Sequence, residues 1–168
     1  MKVFLLGLMG SGKSFWAERL SEILNIPWFD LDTEIEKKEK KTIASIFETE
    51  GEKVFRLKET QALQTFSNHE KFILSTGGGT PCFHENMKWM NDQGITIWID
   101  EPLDTIEERL KKERLHRPLI ASVHETNLKE FLSQMLTRRS EFYAQAKFHL
   151  QGDEIVEENF LKILSSDE

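Results

Sequence analysis

Residues 7–14 read Gly7-Leu8-Met9-Gly10-Ser11-Gly12-Lys13-Ser14, between an apolar run, Val3–Leu6, and a helical pattern over Lys13–Leu24. The spacing matches the phosphate-binding loop pattern G-x-x-x-x-G-K-[ST], in which glycines let backbone N–H groups approach phosphate oxygens. The lysine of this pattern contacts the β- and γ-phosphates, and the serine hydroxyl can bind Mg²⁺. An ordinary glycine-rich turn needs neither side chain. The segment therefore predicts a strand, a nucleotide-binding loop and a helix.

Short apolar runs recur along the chain, and helical patterns follow them. The predicted strands are Val3–Leu6, Pro27–Phe29, Phe72–Leu74, Ile95–Ile99 and Phe148–Leu150. Continuous apolar runs are typical of strands buried on both faces of a parallel sheet. The later helices are predicted over 127–147 and 154–164, and a helical region before them is interrupted near Gly51. This alternation predicts an α/β fold, a three-layer α/β/α P-loop NTPase fold with a central five-stranded parallel sheet.

Composition and charge limit the classes of partner. The 168 residues suit one domain, residues 1–168, and 39% of them are hydrophobic. Because 22 basic residues face 29 acidic ones, the net charge of −7 disfavours nucleic acid and anionic membranes as partners. No apolar stretch approaches the roughly 20 residues of a membrane span. We recognise no export signal, and the single cysteine, Cys82, fits a reducing compartment, so we expect a cytoplasmic protein.

Two carboxylates emerge where the second strand should end, in the sequence Asp30-Leu31-Asp32. One could hold Mg²⁺ through water while the other orients a substrate hydroxyl or accepts its proton, as phosphoryl transfer to an alcohol requires. The alternative is that both aspartates only cap the next helix. Asp100, at the end of a later strand, is a competing but weaker candidate for the metal.

Three further features suggest a site for an anionic acceptor. The triplet Gly77-Gly78-Gly79 follows a buried strand, where bare backbone can approach a ligand. Arg56 lies beside aromatic residues, and Arg139 precedes Tyr143 by one helical turn. Together the two arginines could clamp a carboxylate, although each alone is more often a solvated surface cation.

In this order the motifs resemble those of the shikimate kinases, small relatives of the nucleoside monophosphate kinases. The resemblance covers nearly the whole chain and is carried by the phosphate-binding loop, Asp30-Leu31-Asp32 with Ile35-Glu36, Ile46-Phe47, Gly51-Glu52, Phe55-Arg56, the glycine triplet, Arg117-Pro118-Leu119, and Arg139 with Tyr143. It implies transfer of the γ-phosphoryl group of MgATP to the 3-hydroxyl of shikimate, in the route to chorismate and the aromatic amino acids.

The resemblance also implies a role for each matched residue. Lys13, Asp32 and Arg117 would be catalytic. ATP would contact Gly10, Ser11, Gly12, Lys13, Ser14, Phe15 and Arg117, and shikimate would contact Asp32, Arg56, Gly78, Gly79 and Arg139. Ser14 and Asp30 would support Mg²⁺, and Phe47 and Phe55 would form apolar walls. Residues 32–66 would form a substrate-binding helical segment and residues 111–125 a mobile lid over ATP, in a monomeric enzyme.

Several alternatives stay open at this point. Arg138 adjoins Arg139, and either Arg109 or Arg114 could lie on adenine. Leu31 stands where the family usually has a small polar residue, and Phe15 stands where a second hydroxyl is common. The same scaffold could phosphorylate another hydroxylated acid, such as gluconate. An alternative from a different class of function is a nucleotide-binding regulatory module that has no turnover.

Overall fold

The computed structural model describes residues 1–113 and 127–166. Strands and helices alternate along this part of the chain. They are β1 (Lys2–Leu6), α1 (Lys13–Leu24), β2 (Trp28–Asp30), α2 (Leu31–Glu39), α3 (Ile43–Thr65), β3 (Phe72–Ser75), α4 (Asn86–Gln93), β4 (Ile95–Asp100), α5 (Leu103–Glu113), α6 (Leu128–Tyr143), β5 (Phe148–Gln151) and α7 (Glu157–Ser165). Short 3₁₀ turns occupy Phe66–Asn68, Thr80–Cys82 and Gly152–Glu154.

The five strands form one parallel sheet in the order β2-β3-β1-β4-β5. In its register Leu5 of β1 pairs with Ser75 of β3, and Asp30 of β2 pairs with the same Ser75. The carboxyl ends of β1, β2 and β3 therefore lie side by side. This arrangement confirms the predicted five-stranded parallel sheet and brings the phosphate-binding loop next to the acidic pair.

Side chains alternate between two cores, one on each face of the sheet. On one face Phe4 and Leu6 pack beneath residues of α2 to α6, and on the other Val3 and Leu5 pack beneath residues of α1 and α7. All four side chains are fully buried. Burial on both faces explains why the strands read as continuous apolar runs, and it confirms the predicted three layers.

The helix boundaries follow local backbone chemistry. Helix α1 covers the predicted span, and Gly51, with φ 83°, kinks α3 where the sequence indicated a break. The helix expected from residue 154 begins only at Glu157, because Glu154 instead accepts a hydrogen bond from the backbone N–H of Gln151 in a 3₁₀ turn. Helix α6 ends at Tyr143, earlier than the predicted 147.

Two further expectations from the sequence concern membrane-spanning helices and the lid. No helix within residues 1–113 and 127–166 is long and apolar enough to cross a membrane. The expected lid, residues 111–125, lies outside the described residues from position 114 onward, and Arg114 and Arg117 lie outside them too.

Candidate active site

The loop between β1 and α1 has the backbone that its glycines predict. Gly10 and Gly12 adopt φ of 77° and 90°, a region that residues with a side chain rarely occupy. Gly12 is also the N-cap of α1, so the positive end of that helix faces the loop. The buried Lys13 ammonium donates hydrogen bonds to the carbonyls of Gly7 (2.9 Å) and Leu8 (2.7 Å). The lysine thus lies inside the loop, where phosphate groups bind in this motif.

Three oxygen-bearing side chains meet beside this loop. Ser14 Oγ donates to Asp30 Oδ2 (2.9 Å) and lies 3.0 Å from Ser75 Oγ. Asp30 Oδ1 accepts from the backbone N–H of Thr33 (3.1 Å), so Asp30 also caps α2. The capping role and the contact with Ser14 are therefore compatible. Hydroxyl and carboxylate oxygens are the donors that Mg²⁺ prefers, so this group fits the ion.

Asp100 has a different set of neighbours. Its Oδ2 lies 2.9 Å from Nε2 of His149, whose ring stacks on Trp98 with centroids 4.0 Å apart. This contact links β4 and β5 at the edge of the sheet. Asp100 does not line the cavity that contains Ser14 and Asp30, so the competing metal candidate is not brought to that site in the part of the chain described.

A cavity of about 630 Å³ lies over the phosphate-binding loop, and we call it the donor cavity. Its wall includes Gly10, Gly12, Lys13, Ser14, Phe15, Trp16, Asp30, Asp32, Ile155 and Arg109. Arg109 donates to the carbonyl of Gly10 (3.1 Å) and to Glu101 Oε1 (2.9 Å). Phe15 is 64% exposed, an unusual placement for an aromatic ring.

A second cavity of about 570 Å³, the acceptor cavity, adjoins the first. It is lined by residues of α3, by the loop after β3 and by α6, including Ile43, Phe47, Phe55, Arg56, Glu59, Gly79 and Arg139. Both cavities share four residues, Met9, Asp32, Gly77 and Gly78. A ligand in one cavity can therefore meet a ligand in the other at Asp32.

Arg56 is held at the wall of the acceptor cavity by two carboxylates. Its Nη1 donates to Glu59 Oε2 (2.8 Å), while Nε and Nη2 both donate to Glu52 Oε1 (3.3 Å). Glu59 is 1% exposed, and its other oxygen accepts from the Thr80 hydroxyl (2.7 Å). Because a buried carboxylate needs such partners, Arg56, Glu59 and Thr80 fix one another.

Asp32 lies in the first turn of α2, at the boundary of the two cavities. Burial raises the pKa of its carboxyl from the ordinary 3.8 to about 6, and the negative charges of Asp30 and Glu59 add to the rise. Lys13 and Arg56 act in the opposite direction but do not cancel it. A carboxylate with this pKa can accept a proton near neutral pH.

The glycine triplet makes room for the polar side chains around it. A Cβ on Gly78 would lie 2.9 Å from Arg139 Nη1, and a Cβ on Gly79 would lie 2.5 Å from Arg56 Nη2. At Gly77 it would lie 3.2 Å from Asp32 Oδ1. The three glycines therefore allow these polar side chains to approach the backbone closely.

Helix α6 presents its two neighbouring arginines differently. Arg139 lines the acceptor cavity, whereas Arg138 is exposed and outside its wall. One turn later the buried Tyr143 donates from its hydroxyl to the carbonyl of Gly78 (2.5 Å). Burial raises the pKa of that hydroxyl, which keeps it protonated as a donor. The tyrosine thus ties α6 to the glycine triplet.

Sequence reasoning missed several residues of this site. The buried residues Glu59 and Ser75 contact the predicted site residues Arg56 and Ser14, and the buried Thr80 donates to Glu59. The spacing of Arg56 and Glu59, three positions apart on a helix, was a usable signal, because such pairs lie on one face. Nothing local marks Thr80 or Ser75, whose contacts depend on how β3 and α3 pack together.

The sequence is similar to those of known proteins over most of its length. The shikimate kinase family model matches residues 9–167. A shikimate kinase of Bacteroides thetaiotaomicron is 36% identical over 155 residues (92% of this chain, 89% of that protein), and one of Flavobacterium johnsoniae is 39% identical over 154 residues (90% of each).

Solved structures agree with the sequence comparisons. The crystal structure of the shikimate kinase from Bacteroides thetaiotaomicron has a TM-score of 0.88 at 34% identity (99% of this chain, 93% of that one). A shikimate kinase from Acinetobacter baumannii in complex with shikimate has a TM-score of 0.89 at 29% identity (99% and 94%). A deoxyadenosine kinase from M. mycoides with bound dATP, at 16% identity and a TM-score of 0.62, shares the fold alone.

Proposed function

The chain belongs to the shikimate kinase family of ATP-dependent kinases that act on shikimate, and from this premise we propose how its residues divide the reaction. The donor cavity binds MgATP, the acceptor cavity binds shikimate, and the γ-phosphoryl group passes to the 3-hydroxyl beside Asp32. The observation that carries this proposal is the position of Asp32 in the wall that both cavities share.

Lys13 and the surrounding loop bind the phosphates. The backbone N–H groups from Gly10 to Ser14 and the helix N-terminus supply positive potential without added side chains. In this proposal the Lys13 ammonium exchanges its bonds to the loop carbonyls for phosphate oxygens. It then offsets the charge that develops on the transferred phosphoryl group.

Ser14 and Asp30 support Mg²⁺ through the oxygen donors described above. When bound, the ion neutralises charge on the nucleotide phosphates. Within residues 1–113 and 127–166, no group of three or more His, Cys, Asp or Glu side chains could hold a metal. The pair of Ser14 and Asp30, with its single carboxylate, nevertheless suits Mg²⁺, because this ion commonly combines one or two carboxylates with water and substrate phosphates.

Asp32 orients the acceptor hydroxyl and accepts its proton. A pKa of about 6 leaves the carboxylate mostly ionised at pH 7 yet basic enough to take a proton during transfer. Arg56 and Arg139 bind the shikimate carboxylate, with backbone from Gly78 and Gly79 beside them, and Phe47 and Phe55 cover the ring. A polyhydroxylated acid needs this combination of cations, one carboxylate and an apolar wall.

We assign the adenine contact of ATP to Arg109, which lines the donor cavity together with Phe15. Arg114, the alternative, lies outside the described residues. Arg117 contributes from the lid, residues 111–125, to ATP binding and to catalysis. Residues 32–66 form the acceptor-binding segment of a single domain, residues 1–168.

We also propose that the protein is a cytoplasmic monomer that binds neither nucleic acid nor membranes. The net charge of −7 disfavours nucleic acid and anionic membranes, and the single cysteine suits a reducing compartment. Size-exclusion chromatography with light scattering tests the monomer, and a mass of twice 19.7 kDa would contradict it.

The acceptor is tested by a coupled assay of ADP release with MgATP. Shikimate, gluconate and nucleoside monophosphates are compared with a control that lacks an acceptor. We expect saturable turnover with shikimate alone. Turnover with gluconate instead would overturn the acceptor assignment, and ATP binding without turnover on any acceptor would favour a regulatory module.

A further inference from the structure

The loop that follows β3 surrounds the Arg56 guanidinium on several sides. Gly79 lies so close that an added Cβ would be 2.5–2.8 Å from three guanidinium atoms. The Thr80 hydroxyl donates a hydrogen bond to Glu59, and Glu59 accepts another hydrogen bond from Arg56. The Phe83 ring completes the set, with its centroid 4.3 Å from Arg56 Cζ.

Phe83 is the nearest of three aromatic rings to this guanidinium. The centroids of Phe55 and Phe47 lie at 5.1 and 6.0 Å, and both of these rings line the acceptor cavity. Phe83 is absent from the described wall of that cavity. It therefore contacts Arg56 without occupying space that a ligand needs.

Core packing does not account for the position of Phe83. The residue is half-buried, has an extended backbone (φ −129°, ψ 150°), and belongs to neither core cluster of the described residues. An aromatic ring over a cation is attracted by its π face, and the attraction grows when the pair is shielded from water. Arg56 is 8% exposed, so this pair is shielded.

The orientation of the guanidinium matters for carboxylate binding. Its N–H donors form a planar fork, and two parallel hydrogen bonds to a carboxylate require the fork and the carboxylate to share a plane. A long arginine side chain otherwise loses rotational freedom when it binds, which weakens affinity. The hydrogen bonds to Glu52 and Glu59 already restrict that freedom within the fork, and the Phe83 ring against the guanidinium adds to the restriction before the ligand arrives.

We propose that Phe83 is a positioning residue for acceptor binding, whose ring holds the Arg56 guanidinium in the plane that receives the acceptor carboxylate. The inference rests on the proposed function, in which Arg56 binds that carboxylate. Phe83, which lies outside the acceptor cavity, thereby contributes to the affinity for the acceptor. Its contact with Arg56 connects the loop after β3 to α3.

The test compares Phe83→Leu and Phe83→Met, which remove the ring, with Phe83→Tyr, which keeps it. For both ring-deleting variants we expect the KM for shikimate to rise about threefold to thirtyfold. We expect kcat and the KM for ATP to stay within about twofold of the parent values. Phe83→Tyr should have the same KM for shikimate as the parent. Isothermal titration calorimetry with shikimate measures the same change as a dissociation constant.

A matched control separates positioning from general destabilisation. Phe72 lies outside the acceptor-binding segment and packs in the core against Phe4 and Phe66. Phe72→Leu should lower the Tm without changing the KM for shikimate. If Phe83→Leu and Phe83→Met lower the Tm but leave the KM unchanged, the ring is structural and the inference is overturned.

A double-mutant cycle distinguishes this inference from the proposal on which it rests. If Arg56→Ala leaves the KM for shikimate unchanged, the carboxylate assignment itself fails. If Arg56→Ala raises the KM, Phe83→Leu should have no further effect in that background. An equal effect of Phe83→Leu with and without Arg56 would show that the ring does not act through the guanidinium.

Discussion

The α-carbon of Gly79 lies against the guanidinium of Arg56, so that a Cβ there would be 2.5 Å from Nη2 and 2.8 Å from Cζ. Gly79 has ordinary right-handed backbone angles (φ −91°, ψ −13°), which alanine adopts without strain. The obstacle to a side chain is therefore the arginine alone. Since the guanidinium ends a flexible side chain, it can move aside, and the fold can accept the change while the site does not.

Gly79→Ala should impair acceptor binding without preventing folding. We expect the KM for shikimate to rise about tenfold to a hundredfold, because the displaced guanidinium loses a charge-assisted bond to the carboxylate. The Tm should fall as well, because the displaced Nη1 weakens its bond to the buried Glu59 carboxylate. Steady-state kinetics and thermal unfolding provide both values. In an Arg56→Ala background the same substitution should have no further effect on KM, and a large further effect would contradict the mechanism.

Asp30→Asn should separate the two roles of Asp30. Asparagine caps helices about as well as aspartate, so the free energy of unfolding should change by less than about 0.5 kcal/mol. The lost charge should raise the Mg²⁺ concentration for half-maximal rate about tenfold or more. Asp30→Ala, which removes the cap as well, should lower the unfolding free energy by about 1 kcal/mol. An unchanged Mg²⁺ requirement in Asp30→Asn would exclude Asp30 from metal support.

Residues whose role is local could be predicted from the sequence. Continuous apolar runs such as Phe72–Leu74 indicated buried parallel strands, and the order of Gly12, Lys13 and Ser14 indicated the loop between β1 and α1. Gly51 marked the kink in α3 because glycine readily adopts positive φ. These signals depend only on neighbours in the chain.

Residues whose role depends on packing could not be predicted in the same way. Thr80 belongs to the site because it donates to Glu59, 21 positions earlier, and Ser75 contacts Ser14 across 61 positions. Such contacts follow from the strand order, which places β3 between β1 and β2. The sequence predicted five parallel strands but contained no local signal for that order.

The neighbouring arginines of α6 should differ sharply in function. Arg139 lines the acceptor cavity and Arg138 is exposed outside it, so the two form a natural pair of variants. Arg139→Ala should raise the KM for shikimate about tenfold to a hundredfold. Arg138→Ala should change it less than about twofold, as is usual for exposed charges. The reverse pattern in steady-state kinetics would assign the clamp to Arg138.

Asp32→Asn should abolish most turnover while ATP still binds. Loss of a positioned base lowers kcat by about a hundredfold to ten-thousandfold. In the parent enzyme kcat/KM should fall as pH drops below about 6, because the Asp32 carboxyl becomes protonated there. The residual activity of Asp32→Asn should lack this acidic limb. Glu34→Gln, a change in the same turn of α2, is the control, and normal turnover in Asp32→Asn would refute the role.

The same substitution should stabilise the fold near neutral pH. The pKa of Asp32 is higher in the folded protein than its ordinary 3.8, so the folded state binds the proton more tightly than the unfolded state does. Asp32 therefore lowers stability as pH rises from about 4 to about 6, and the deficit is complete above the folded pKa. Asparagine has no charge to desolvate, so it removes the deficit.

We expect Asp32→Asn to raise the unfolding free energy at pH 7.5 by about 1–3 kcal/mol, the upper value corresponding to the full pKa shift. The gain should shrink as the pH falls through about 6 towards 4, because Asp32 becomes protonated first in the folded state and then, near its ordinary pKa of 3.8, in the unfolded state. Urea unfolding of the parent and the variant at several pH values measures the difference, with Glu34→Gln again as control. A variant less stable than its parent at pH 7.5 would mean that Lys13 and Arg56 stabilise the carboxylate more than burial disfavours it. The stability of the parent would then support ionisation of Asp32 rather than oppose it, and the carboxyl would be too weak a base for its proposed role.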